Sequence, residues 1–117
     1  MQIMIIKIAN KEVELNFGVR FVRELDKVKG VTQNGIQFGM ALNATIPALT
    51  TYDPVALADV LYCASCTAKV RPSMEDVYNY IDNADDIKKV FDEVLSELKE
   101  ANATKVIVKN LTKNIKA

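Results

Sequence analysis

The sequence predicts an α+β fold, mainly α, in which an N-terminal β-hairpin precedes about five helices in one compact domain. Three observations carry this prediction. A short apolar run at residues 3–8 is followed by strict period-two alternation over residues 12–17, and from Gly18 onward apolar residues recur every three or four positions. Glycine and proline are scarce, four and three in 117 residues, so little interrupts the helical stretches. Half the residues are hydrophobic and 26% are charged, the balance of a globular chain that can bury a core without disulfide or metal staples.

The hairpin comes first. Ile3, Ile5 and Lys7 fall on one side of an extended segment, with Met4, Ile6 and Ile8 on the other. After a break at Asn10 and Lys11, Val13, Leu15 and Phe17 alternate with Glu12, Glu14 and Asn16. The first strand is apolar on both faces and is expected to lie under something else or to pair with another chain; helices must cover the hairpin, since an isolated one is not stable. Phe21, Val22, Leu25 and Val28 then follow a 3.6-residue repeat that stops at Gly30, a C-cap signal. Gln33, Asn34 and Gly35 mark a turn, and the apolar run from Ile36 to Ile46 is read as a second helix that Pro47 ends or kinks.

Asp53 and Pro54 open the third helix, because aspartate caps free amides and proline is tolerated where no helical donor is needed. This helix is expected from Val55 to about Lys69. Ser73 with Asp76 three residues on gives a capping-box variant for a fourth helix bearing Met74, Val77 and Ile81, and Asn83 with Asp86 repeats the device. The fifth helix carries Ile87, Val90, Phe91, Val94, Leu95 and Leu98 as one apolar stripe, opposite Lys, Asp and Glu. In the last segment Val106, Ile107 and Val108 suit a strand, whereas Val108, Leu111 and Ile115 align on a helix, which is the reading adopted. Residues 1–102 are thus read as a single helical domain with its hairpin, and residues 103–117 as a basic, helical C-terminal tail.

Charge is balanced in sum and polarised in sequence. Fifteen basic and fifteen acidic residues leave no net charge, which argues against a chain that coats nucleic acid and eases self-association. Residues 75–100 carry nine acids and three bases, net −6, while residues 103–117 carry four lysines and no acid. Such asymmetry points to charge-guided contacts. The apolar start lacks a basic leader region and a small-residue cleavage site, so it does not read as a signal peptide. No apolar run reaches the roughly 18–20 residues that cross a bilayer, so the sequence predicts no membrane span and a cytosolic chain with reduced thiols.

Catalytic chemistry finds little footing. There is no histidine, the residue most used as a base near neutral pH and as a metal ligand. The only cysteines, Cys63 and Cys66, have C-x-x-C spacing, but zinc wants four ligands and this pair stands alone. A redox role needs the first thiol at a helix N-terminus, whereas Cys63 lies more than two turns into the third helix and reads as a small core residue. Nucleophile-elbow, phosphate-loop and dinucleotide-binding patterns are absent. Asp85, Asp86, Asp92, Glu93, Glu97 and Glu100 lack the spacing of a calcium loop and read as a solvated face. No cofactor is implied.

Three stretches together resemble a known family: ELNFGVRFVRELD from Glu14 to Asp26, YDPVALADVLY from Tyr52 to Tyr62, and RPSMEDVYNYID from Arg71 to Asp82. The chain is similar to tail assembly chaperones of long-tailed, siphovirus-type phages and prophages of Gram-positive bacteria, from the hairpin to about Leu111. The resemblance implies a non-enzymatic, cofactor-free protein of the host bacterial cytoplasm, absent from the mature virion. It implies binding to the tape measure protein, assembly of tail tube protein around it, and a longer frameshifted form of the same chain as a further partner. Lysine-asparagine pairs at Lys109 and Lys113 are compatible with slippery codons. Partner contact, with a tail protein or with another copy in a homo-oligomer, is expected at Lys105, Val108, Lys109, Leu111, Lys113 and Lys116, with apolar surface from the first strand. The alternatives are a small nucleic-acid-binding regulator using the same lysines, which lack interleaved aromatics or arginine, and a thiol oxidoreductase using Cys63 and Cys66.

Overall fold

A computed structural model describes residues 3–33 and 36–115. Strands β1 (Ile3–Ile8) and β2 (Lys11–Asn16) form the expected antiparallel hairpin. Ala9 and Asn10 turn it with positive φ at both positions, 52° and 63°, the mirror-image turn whose twist suits a tight hairpin. Register places Met4 opposite Leu15 and Ile6 opposite Val13 on the core face, and Ile5 opposite Glu14 and Lys7 opposite Glu12 on the outer face. The first strand is therefore only half covered: Met4, Ile6 and Ile8 are buried, whereas Ile5 is 57% exposed.

Helix α1 (Val19–Lys29) starts where the period changes. Asn16 Oδ1 accepts the Gly18 N–H at 2.9 Å as the chain leaves β2, and Phe17 and Phe21 meet edge to face with ring centroids 5.2 Å apart. Gly30 ends the helix, its N–H donating to the Asp26 carbonyl at 2.8 Å, in extended rather than left-handed backbone.

The reading of residues 36–46 as one helix is corrected. Val31–Gln33 and Ile36–Gly39 are strands β3 and β4, a second antiparallel hairpin with a register shift between Val31 and Thr32. Ile36, Phe38 and Met40 alternate with Gln37 and Gly39, and a short apolar run of this kind satisfies either period. Helix α2 (Ala41–Thr50) begins after Met40, which takes a left-handed φ of 70°. It has no cap of its own; the Asp26 carboxylate, fifteen residues earlier in α1, accepts the Ala41 N–H at 3.1 Å. Nor does Pro47 end this helix. Its missing donor frees the carbonyl of Asn43, an exposed residue that can turn to water. The end comes at Thr51, where Asp53 N–H donates to the Ala48 carbonyl and Tyr52 N–H to that of Leu49, the two bonds of a Schellman cap.

Helix α3 (Pro54–Ala64) is the central element, buried almost all round. The Asp53 carboxylate accepts the Val55 and Ala56 amides at 2.9 and 3.4 Å. One charge sits among its apolar residues: Asp59, 8% exposed, has Oδ2 3.1 Å from Lys29 Nζ, an ion pair that ties α3 to the end of α1. The helix stops five residues short of the expected Lys69. A 3-10 turn at Ser65–Thr67 follows, Ser65 Oγ donates to the Tyr62 carbonyl at 2.6 Å, and Arg71 covers the Tyr62 ring at 4.0 Å while donating to the same carbonyl.

Helix α4 (Met74–Asp82) carries the expected capping box, with Ser73 Oγ accepting the Asp76 N–H and Asp76 Oδ2 accepting the Ser73 N–H, both at 3.1 Å. The repeat of that device at Asn83 is corrected. Asn83 closes α4, its side chain donating to the Asn79 carbonyl, and Asp86 alone caps α5 (Ile87–Glu100) through the Lys89 N–H. Phe91, Val94 and Leu98 form the buried part of the α5 stripe, and α6 (Lys105–Ile115) packs against α2 and α5. One continuous core joins the inner hairpin face to all six helices.

Candidate functional site

The two thiols are placed as core and rim. Cys63 is 1% exposed within α3, and burial pushes its pKa from 9.0 up to about 12, with the Asp59 carboxylate acting in the same direction. Cys66, in the 3-10 turn, is partly buried and is also shifted up by burial. A redox or ligating thiol needs the opposite shift, so at neutral pH this pair consists of neutral thiols. Among the described residues no group of three or more His, Cys, Asp or Glu side chains stands close enough to share a metal ion.

Helix α6 is built into the fold before it offers a surface. Thr104, fully buried, donates its hydroxyl to the Leu98 carbonyl at 2.6 Å, and the Lys105 N–H reaches the Ala101 carbonyl at 2.8 Å. These bonds turn the chain back within four residues of α5. Val108 then packs inward with no exposed area and Leu111 lies half-buried against the core. Of the residues expected to meet a partner, Lys105 and Lys109 point to solvent, whereas Val108 is committed to the interior. The Lys113 side chain and Lys116 lie outside the described residues. Sequence spacing missed Val106, which is 63% exposed between those two lysines. Its position midway between Thr104 and Val108, which puts it on the helix face opposite the buried stripe, is the signal that could have found it. With Lys99 from the end of α5, these residues border a shallow groove of about 730 Å³ whose described charges are all basic.

A larger groove, about 830 Å³, lies between the β1–β2 turn, α4 and the first half of α5. Four carboxylates, Asp76, Asp85, Asp86 and Glu93, line it against two ammonium groups, Lys7 and Lys89. Asp76 and Asp86 also serve as helix caps, and Lys89 lies 3.9 Å from Glu93. Tyr80 forms part of the wall; burial and then Glu93 raise its phenol pKa, so the hydroxyl stays a neutral donor. The scattered acidic residues of the sequence are thus partly gathered into one concavity, and the basic helix presents its lysines elsewhere on the molecule.

A third exposed feature is the outer edge of the hairpin. Each of the two sheets has two strands, and among the described residues no backbone group of β1 bonds to any segment but β2. With Ile5 on its outer face, β1 is an edge strand of the kind that other chains extend.

No curated protein and no solved structure matches the chain. A family model does: "Phage tail assembly chaperone protein, TAC" matches residues 5–113. The match covers nearly all of the chain, and the chain belongs to that family.

Proposed function

We propose that this member of the phage tail assembly chaperone family binds the tape measure protein and promotes assembly of tail tube protein around it, without catalysis. The carrying observation is the family match over residues 5–113, which takes in most of the hairpin, helices α1 to α5 and most of α6. The neutral, buried thiol and the missing histidine fit a protein that works by contact rather than by bond chemistry. The edge of β1, with Ile5 beside it, is the surface for an extended or apolar segment of the tape measure. The lysines of α6 guide the approach. In this reading the protein acts in the host bacterial cytoplasm, is left behind by the finished virion, and has a longer frameshifted form of itself as a co-worker.

Co-expression tests the reading. The tape measure protein of the same phage, insoluble or degraded alone, is expected to become soluble and to co-elute with this chain. Replacing Ile5 with lysine is expected to weaken that co-elution while leaving the exposed-face fold intact. Tape measure protein that stays insoluble beside well-folded chaperone would remove the reading. The nucleic-acid alternative predicts salt-sensitive DNA binding by Lys105 and Lys109, since phosphate contacts release counterions.

A further inference from the structure

The basic and acidic surfaces lie on different elements, and among the described residues no ion pair joins Lys105 or Lys109 to Asp76, Asp85, Asp86 or Glu93. Along α5 the nearest charged residues of the two surfaces, Glu93 and Lys99, stand six residues apart, about 9 Å of helix rise. Helix α6 is pinned by Thr104 and Val108 and cannot swing across. Yet the two match in chemistry. One is the outer face of α6, where Lys105, Lys109 and the exposed Val106 stand beside a shallow basic groove; the other is a concavity with four carboxylates to two lysines, Asp85 and Glu93 among its exposed residues.

We infer that the outer face of α6 docks into the Asp85–Glu93 groove of a second copy of this chain. The surfaces are different patches of the same molecule, so the contact is heterologous: each docked copy still offers a free groove at one end and a free α6 at the other. Such a contact repeats head to tail into an open or ring-shaped array. Zero net charge removes the long-range repulsion that would oppose this, and Val106 adds an apolar contact to the lysine-carboxylate pairing. The inference stands on the charge geometry, and in such an open array only the terminal copy keeps its α6 lysines free to guide the tape measure.

The test is sedimentation of the full chain and of two double variants at exposed positions. The wild type is expected to associate beyond dimer at about 0.05 M salt, and to weaken by about tenfold or more near 0.5 M as screening shortens the reach of the charges. Lys105→Glu with Lys109→Glu breaks the helix face, and Asp85→Asn with Glu93→Gln breaks the groove; each variant alone is expected to remain a monomer. Mixed one to one, they retain one good helix face and one good groove between them and are expected to form a heterodimer and nothing larger. A wild type that stays monomeric at low salt overturns the inference. So does an association indifferent to salt, a variant that still self-associates, or a mixture that gives no heterodimer.

Discussion

Tyr52 is one of four non-glycine residues among the described ones held at positive φ. It occupies the left-handed position of the Schellman cap, φ 63°, where glycine usually stands. Its ring meets Phe91 edge to face at 5.3 Å with Lys88 nearby. The strain of a left-handed non-glycine residue, about 1–2 kcal/mol, opposes a ring contact of about 0.5–1.5 kcal/mol. Tyr52→Ala keeps the strain and loses the ring, whereas Tyr52→Gly loses both. The glycine variant should therefore be the more stable of the two by about 1 kcal/mol in urea unfolding; equal stabilities would show that the strain is not borne at this residue. Cys63 gives a second residue-scale prediction. Its thiol pKa is raised from 9.0 to about 12 on folding, so the stability its neutral form contributes is complete below pH 9 and is lost as pH climbs toward 12. Native protein at pH 8 should leave Cys63 unalkylated until it unfolds, and Cys63→Ala should lose less stability than wild type over that alkaline window. Rapid alkylation of the folded chain would contradict the placement.

At the scale of elements, helices α2 to α5 are each started by a named side-chain acceptor, and those groups are testable. Ser73→Ala removes the acceptor for the Asp76 N–H and should cost about 1 kcal/mol, a fall of roughly 4–6 °C in Tm. Asp26→Ala should cost a similar amount, because it uncaps α2 at Ala41. No loss in either variant would mean that these helix ends are satisfied by water. The two caps differ in how far sequence reveals them. Ser73 and Asp76 are three residues apart, so their signature is local and was legible. Asp26 reaches across fifteen residues, and no spacing rule announces it. The same distinction explains β3 and β4: a three-residue strand paired with a four-residue one carries too few residues to show a period, and the apolar run from Ile36 reads equally well as a helix. Helix α5, with fourteen residues and one stripe, could scarcely be misread. Arg71, which closes α3 early by binding the Tyr62 carbonyl, again acts through a tertiary contact that the sequence does not display.

For the whole molecule, the sequence shows that charge is divided but not where it gathers. The net −6 of residues 75–100 is spread over two helices and their turns, and only the fold brings Asp76, Asp85, Asp86 and Glu93 to one groove. The tail lysines were visible as a run, yet their helix had first to spend Val108 and Leu111 on the core. Deleting residues 103–117 would thus remove core packing as well as a surface, which is why exposed substitutions at Lys105 and Lys109 are the cleaner probes. The central claim is that this small helical domain is needed to build a tail while taking no part in the finished one. Electron microscopy of lysates tests it most directly, using a phage whose gene for this chain is stopped early and whose tail tube and tape measure genes are intact. The account predicts filled heads without tails, and tails of normal length restored when the wild-type chain is supplied in trans. Normal tails in its complete absence would contradict the account.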